Sequence, residues 1–229
     1  MPTFDLASTT VRELNAALHA LGADSVDEDW TVTSPRGAHA VAVGACVPVR
    51  IRIAGHVGYY CAGMNQNAEI TVDGNAGVGV AENMMSGRVH VTGDASQSAG
   101  ATAHGGLLVV DGNAAARCGI SMKGVDIVVK GNVGHMSAFM AQAGNLVVLG
   151  DAGEALGDSL YEAQLFVRGS VASLGADCVE KKMKRRHRQR LRLLLDAAGV
   201  GNEVDVSQFR RYGSARELYN FHIDNVGAY

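Results

Sequence analysis

The sequence is poor in aromatic residues and in proline. Phe, Trp and Tyr make up 5% of its 229 residues, and there are three prolines against 29 glycines. Few large rings and much glycine suit a narrow core in which backbones approach each other closely. The four cysteines include no CxxC pair, which argues against a disulfide scaffold and against a zinc knuckle.

Long apolar runs and an excess of one charge are also missing. No apolar run approaches the roughly 20 residues that span a bilayer, and the start, MPTFDLASTTVREL, lacks the basic and apolar regions of a signal peptide. A net charge of −3 gives no reason to expect nucleic acid or a membrane as the main partner. We therefore expect a reduced, cytoplasmic protein.

A 19-residue repeat dominates the middle of the chain. It is marked by a short β-branched segment that ends in glycine, such as ITVDG at residues 70–74. The successive closing glycines are each 19 residues apart: Gly55, Gly74, Gly93, Gly112, Gly131, Gly150 and Gly169. Repeats of this length indicate stacked structural units.

Each repeat alternates apolar and other residues with a period of two. The positions four and two before each glycine are always Ile, Leu or Val, as in Ile70 and Val72, and the position two after it is Val or Ala. This alternation predicts short strands with β-branched residues inward. Nineteen residues are too few for a strand, a helix and a crossover connection back to a parallel sheet. Each repeat should therefore form one rung of a coil.

The predicted fold is therefore all-β: a single-stranded parallel β-helix of about seven to eight rungs, flanked by N- and C-terminal helices. Seven rungs give a cylinder of about 30 Å, and residues 32–53 should form a degenerate first rung. Left-handed hexapeptide helices need 18 residues per turn, so the 19-residue period favours the right-handed kind. We divide the chain into a helical cap (1–30), the β-helix (31–177) and a basic helix with a docking tail (178–229).

Asn or Asp follows most of the closing glycines. Stacked in register, such side chains should form a polar ladder at the turn. The alternative, a carboxylate cluster like that of a polysaccharide-cleaving enzyme, is disfavoured because Asp94 and Asp151 lie three rungs, about 14 Å, apart.

Small residues recur at the closing glycine and three and seven positions later. Gly150, Gly153 and Gly157 give this G-x-x-G-x-x-x-G spacing in full. The spacing resembles the GXGXG β-helix at the C-terminus of the glutamate synthase large subunit and the free-standing proteins related to it. The β-helical component of formylmethanofuran dehydrogenase is one of these.

The two ends of the chain narrow this resemblance. Thr10 and Glu13 have the spacing of a helix capping box, and the last residues, SARELYNFHIDNVGAY (214–229), fall outside the repeat. With its short length, the chain resembles the small component of N-methylglutamate synthase, which is similar to domain 3 of glutamate synthase.

That resemblance implies a hetero-oligomer that converts methylamine and L-glutamate into N-methyl-L-glutamate and ammonia. It implies a class II glutamine amidotransferase-like partner and a glutamate synthase-like partner that carries FMN and an iron–sulfur cluster. It also implies that the β-helix is a structural subunit with no catalytic, cofactor-binding or metal-binding residue of its own.

A survey of the repeat columns agrees with a non-catalytic chain. The eight histidines fall in unrelated positions of the repeat, without HxH or HxxxH spacing, which disfavours a metal site. Cys61 and Cys118 share a column but lie three rungs apart, too far for a disulfide, so we expect buried thiols. No GxSxG, HExxH or Walker sequence occurs.

The outward position three before the glycine becomes apolar in four consecutive rungs: Val109, Val128, Val147 and Phe166. We call these four residues the stripe. An exposed apolar stripe usually marks an interface. Either a partner protein or the chain's own C-terminal helix, expected at about 178–198 with Val179, Met183, Leu191, Leu194 and Leu195 on its apolar side, could cover it.

The same C-terminal region contains the basic run KKMKRRHRQR (181–190). It predicts a solvated helix face or a dock for an acidic partner surface rather than a nucleic-acid site. The aromatic residues of the last segment, ELYNFHIDNVGAY (217–229), suggest docking across the helix end or into a neighbour.

Two other functions remain open at this point. A formylmethanofuran dehydrogenase or formyltransferase/hydrolase complex could use a β-helical scaffold of the same kind. A free-standing β-helical enzyme acting on polysaccharide belongs to another class and would need a carboxylate or basic cleft on one outer face.

Overall fold

The computed structural model describes residues 2–22, 24–25 and 28–215. Within them, eleven strands form one sheet, accompanied by two α-helices and a short 3-10 helix at Val206–Gln208. The strands are β1 Thr3–Asp5, β2 Asp29–Thr33, β3 Arg50–Ile53, β4 Glu69–Val72, β5 Arg88–Val91, β6 Leu107–Val110, β7 Lys123–Val129, β8 Ala143–Val148, β9 Gln164–Val167, β10 Cys178–Lys181 and β11 Arg210–Ser214. The helices are α1 Val11–His19 and α2 Arg185–Ala197.

Strands β1 to β9 are all parallel, and from β3 to β9 residues pair with those 19 positions later, except that Lys123 pairs with Ala143 beside a register shift in β7. Ile51 pairs with Ile70, and Ile70 pairs with Val89. This register keeps the β-branched residues of every rung on the inner side, where they are buried. The predicted parallel β-helix of about seven turns is confirmed. The strand before it, β2, pairs with β3 and begins at Asp29, three residues before the predicted start of the degenerate first rung at residue 32.

A second line of pairing runs along the turn that follows each closing glycine. Single parallel bridges join Val57 to Ala76 and continue in 19-residue steps to Val171. The side chains at these positions are small and nearly all buried. The narrow interior expected from the composition therefore lies between the β3–β9 sheet and this second line.

The third side of each rung has an unusual backbone. Tyr60, Ala62 and Met64 have φ values of 58°, 56° and 55°, a left-handed conformation that costs a non-glycine residue about 1 kcal/mol or more. The N–H groups of Tyr60 and Met64 donate to the following rung, at 2.8 Å in both cases, whereas Ala62 donates to the preceding rung at 2.9 Å. Each rung is thus hydrogen-bonded to both neighbours on this side.

Small residues are required at three positions of the repeat, for a different physical reason at each. A Cβ on Gly150 would collide with the Asn132 Oδ1 of the turn ladder, and the same holds for Gly93, Gly112, Gly131 and Gly169 with their own ladder residues. A Cβ on Gly153 would lie 2.9 Å from the backbone of Gly134. Gly157 has a φ of +67°, where glycine is favoured. At the remaining turn glycines, a Cβ on Gly55 would meet the Pro35 ring and one on Gly74 the His56 ring.

The N-terminal helix agrees with its predicted start. In α1 the Thr10 side chain accepts the N–H of Glu13, and the Glu13 carboxylate accepts the N–H of Thr10 at 2.7 Å. The capping box is therefore confirmed. The sequence did not reveal β1, which pairs in parallel with β2 and adds a strand to the start of the sheet.

The prediction of a helix from residue 178 is wrong for its first seven residues. Residues 178–181 form β10, with Cys178 opposite Ser214 in antiparallel β11, and β11 in turn pairs antiparallel with β9. Val179, expected on the apolar side of the helix, lies in β10 and is 37% exposed. The partner strand lies more than 25 residues later, so local periodicity could not indicate it. The segment boundaries at residues 30 and 177 stay predictions, and the tail at 217–229 lies outside the described residues.

Candidate functional site

The stripe is completely buried. Val109, Val128, Val147 and Phe166 are each 0% exposed and form one cluster with α2 and the segment after it. Helix α2 contributes Leu191, Leu194 and Leu195, the segment after it contributes Phe209, and Met183 packs alongside. Of the two possible covers, the structure shows the chain's own C-terminal segment. A partner protein would therefore meet the outer surface of α2 rather than the stripe.

Polar contacts fix α2 over the stripe at its middle and at its C-terminal end. Arg190 donates two hydrogen bonds to the Asp126 carboxylate, at 2.8 and 2.6 Å, and Asn145 donates to the same carboxylate at 2.8 Å. Arg88 donates to the Ala197 carbonyl at 2.8 Å, where a cation also complements the negative end of the helix dipole. The two contacts determine the direction in which α2 crosses the strands.

The other half of the outer sheet face is charged. Arg52 pairs with Asp73 at 2.5 Å, and Asp111 accepts a hydrogen bond from His90 Nε2 at 2.9 Å and forms an ion pair with Lys130 Nζ at 2.7 Å. Partial burial alone would raise the pKa of Asp111, but the bonds from Lys130 and His90 lower it below its ordinary value. This trio was not predicted from the sequence, although Asp111 and Lys130 occupy the same repeat position, one before the glycine.

The residues after the closing glycines form the predicted ladder. The N–H of each residue donates to the side chain one rung earlier, as from Asn132 to Asn113 Oδ1 at 2.9 Å and from Asp151 to Asn132 Oδ1 at 2.7 Å. The ladder begins at His56, whose Nδ1 accepts from Asn75 at 2.8 Å. It ends where Ser170 donates its N–H and hydroxyl to Asp151, which lowers the pKa of that carboxyl. Asp94 and Asp151 therefore act as turn acceptors.

Three of the four cysteines are buried in the core. Burial raises the pKa of the Cys61 and Cys118 thiols to about 12, and that of Cys178 to about 11. Thiols with such values remain protonated at neutral pH, so they are poor nucleophiles and poor metal ligands. Cys61 and Cys118 act as small apolar residues, as their shared repeat position predicts.

Within residues 2–22, 24–25 and 28–215, no group of three or more His, Cys, Asp or Glu side chains could hold a metal ion. Among the same residues, neither helix has the length and apolar content to cross a bilayer.

The basic run is divided among three environments. Lys181 ends β10, Lys182 and Lys184 lie between β10 and α2, and the remaining cations lie on α2 itself. His187 is 4% exposed, and its Nδ1 accepts the N–H of Lys184 at 3.1 Å. Burial and the nearby Arg211 and Arg186 charges lower its pKa, so it is neutral at pH 7. The run is thus partly structural, and only part of it forms an exposed basic surface.

No protein-family model matches the chain. Among curated proteins, the chain is similar to "Protein GlxC" of Rhizobium meliloti (strain 1021), with 64% identity over 229 residues that cover the whole of both chains. The matched length includes the repeat, the N-terminal helix and the C-terminal segment. The chain belongs to the GlxC family.

Proposed function

We propose that the chain is a non-catalytic structural subunit of a glutamate-synthase-like enzyme. The complex is N-methylglutamate synthase, which converts methylamine and L-glutamate into N-methyl-L-glutamate and ammonia. The β-helix holds together a class II glutamine amidotransferase-like partner and a synthase-like partner that carries FMN and an iron–sulfur cluster.

The structural role is supported mainly by one observation: the polar side chains of the β-helix are engaged in hydrogen bonds and ion pairs within the chain. The turn carboxylates and amides accept backbone N–H groups of the next rung, and Asp126 and Asp111 are occupied by Arg190 and by His90 with Lys130. A general acid or nucleophile needs a side chain that can reach substrate with a suitable pKa. These groups are instead committed to stacking and to holding the C-terminal segment.

Two findings support the glutamate-synthase-like complex. The small residues at Gly150, Gly153 and Gly157 have the spacing of the GXGXG β-helix, and each has a separate steric or conformational cause. The similarity to the Rhizobium meliloti protein covers both flanks, and the flanks are the part of the sequence that distinguishes the small N-methylglutamate synthase component from its relatives.

The other two functions have weaker support. A formyl-transferring complex could use the same scaffold, and no described residue favours it. A polysaccharide-acting enzyme would need two cooperating carboxylates roughly 5–10 Å apart, whereas the turn carboxylates of Asp94 and Asp151 are three rungs apart and engaged in the ladder.

The test is purification of the tagged full-length chain from its native source, followed by mass spectrometry and a flavin absorbance spectrum. We expect an amidotransferase-like protein and a flavoprotein to co-purify, and the eluate to form N-methylglutamate from methylamine and glutamate. An untagged strain carried through the same procedure provides the background.

Two outcomes would overturn the proposal. Recovery of the chain alone, without flavin, would show that it is not a subunit of the proposed complex. Recovery of amidohydrolase-like and formyltransferase-like proteins would assign the scaffold to one-carbon chemistry instead.

A further inference from the structure

A groove of about 750 Å³ runs between α2 and the 3-10 helix. Its walls include Arg185, Arg188 and Arg192 from α2, and Asp205 and Val206 from the opposite side. Leu193 lies at its edge. The groove faces away from the stripe, because the buried side of α2 is formed by other residues, Leu191, Leu194 and Leu195.

The groove has more positive than negative charge. Arg185 and Arg188 are exposed and have no ion pair among the described residues. Arg192 donates to the carbonyls of Gly201 and Val204, which are uncharged, so its positive charge is not neutralised by them. Asp205 is the one carboxylate of the lining, and its oxygens accept the N–H and hydroxyl of Ser207 at 2.8 and 2.6 Å.

Further cations crowd the neighbouring surface. Burial and the Arg186 charge lower the pKa of Arg211, and burial, with the Arg211 and Arg186 charges, lowers that of His187. The charge contribution to both shifts reflects positive groups that lie close together at this end of α2. A negatively charged partner would relieve this repulsion.

Leu193 adds an apolar contact point to the basic groove. Its side chain is 61% exposed, the highest value among the exposed large apolar residues of the described chain. Val206 lines the groove nearby and is 7% exposed. An exposed leucine among arginines has no role in covering the stripe, and arginine is one of the residues that protein interfaces favour.

We propose that this groove binds an acidic segment of another protein, in which an apolar side chain flanked by carboxylates packs against Leu193 and Val206. The flanking carboxylates pair with Arg185 and Arg188. This inference concerns the groove alone and stands whether or not the chain belongs to N-methylglutamate synthase.

A membrane and a nucleic acid fit the groove less well. The other leucines of α2 are buried on the stripe, so Leu193 alone would enter a bilayer, which is too little apolar surface for an amphipathic anchor. The groove lining includes the Asp205 carboxylate and no aromatic ring, whereas single-stranded nucleic acids are held by stacking on aromatic side chains in a cationic channel.

The test measures binding of the purified full-length chain to a fluorescein-labelled 16-residue peptide, with one leucine flanked on each side by glutamates, by fluorescence anisotropy. We expect Arg188→Glu to weaken binding at least tenfold and Leu193→Ser to weaken it several-fold. Arg12→Glu is the matched control, since it makes the same charge change at an exposed position of α1 and should leave binding within twofold. Circular dichroism checks that all variants fold.

Binding of other ligands shows which kind of partner the groove prefers. The same peptide with serine in place of leucine should bind several-fold more weakly than the original. Equal binding of the serine peptide, or of the Arg188→Glu and Arg12→Glu variants, would overturn the proposal. Tighter binding of duplex DNA or of phosphatidylserine vesicles than of the leucine peptide would overturn it as well, by assigning the surface to a general polyanion.

Discussion

The regular rungs and the C-terminal segment use opposite ways to bury apolar surface. From β3 to β9 the same small set of residues recurs every 19 positions, and each rung packs mainly on its two neighbours. Residues 178–215 contain no repeat and instead combine two antiparallel strands, α2 and a 3-10 helix. The rungs are repeated units with nearest-neighbour contacts, whereas the segment spans several rungs at once through the stripe.

The rungs therefore determine the stability of the β-helix, whereas the C-terminal segment determines the shape of its outer surface. The segment can leave the stripe without breaking any rung-to-rung hydrogen bond of β3 to β8. A defect inside a rung, by contrast, removes contacts from both neighbours. Substitutions in the two regions should therefore fail in different ways.

The largest effect is expected for Val128→Lys, which places a charge beneath α2 at a position that is 0% exposed. An unpaired charge at a buried site costs about 3–5 kcal/mol, so we expect α2 to undock while the rungs stay folded. Hydrogen exchange should show lost protection in 185–197 and retained protection in β3 to β5. Val128→Ile, which adds one methylene and no charge, is the control.

Equal loss of protection in β3 to β5 and in α2 would contradict the separation of the two regions. It would mean that the segment is required for the rungs themselves to fold.

A somewhat smaller effect is expected for Gly77→Val in the regular rungs. A Cβ at this position would lie 2.5 Å from the Gly58 carbonyl carbon of the preceding rung, and such overpacking costs about 1–3 kcal/mol or more. We expect a lower urea midpoint for a single cooperative transition that includes β3 to β5. Gly22→Ala, where an added Cβ has nothing within 4 Å, should leave the midpoint nearly unchanged.

Confinement of the Gly77→Val defect to one rung, with the rest of the transition unaltered, would show that the rungs are less cooperative than their pairing indicates.

The smallest effect concerns acid stability at the end of the ladder. Hydrogen bonds from Ser170 lower the pKa of Asp151 in the folded chain below its ordinary value of 3.8. Ionised Asp151 therefore stabilises the folded state above about pH 3.8, and this contribution is lost as the pH falls through the lower, folded-state pKa. Asp151→Asn, which keeps the acceptor oxygen, should reduce the drop in urea midpoint between pH 5 and pH 3.

Ser170→Ala should give an intermediate result, because it removes the hydroxyl donor and keeps the backbone donor. An identical pH dependence in all three proteins would rule out the ladder end as a source of acid sensitivity.

The regular rungs could be predicted from the sequence to a much greater extent than the C-terminal segment. The register, the buried β-branched positions and the turn ladder follow from residues such as Ile70 and Asn132, because each repeat shows the same chemistry at the same phase. β10 was mistaken for helix, because its partner β11 lies far along the chain and nothing repeats to indicate it. The left-handed residues Tyr60 and Met64 were also missed, since neither residue type signals a positive φ.

The candidate site was predicted in outline. The apolar stripe and the basic run were both visible in the sequence, and Leu191, Leu194 and Leu195 were correctly placed on the covering side of the helix. The groove was not visible, because it depends on how the chain after α2 returns to place Asp205 and Val206 beside the arginines.

Because the repeat is 19 residues long, the length of the β-helix is set by the number of whole rungs. Adding or removing one whole rung would change the length of the cylinder by about 4.8 Å and return every later side chain to the same face. A change of any other number of residues would rotate the turn ladder out of line. The distance between the two ends of the β-helix can therefore change only in steps, and each step preserves the orientation of one end relative to the other.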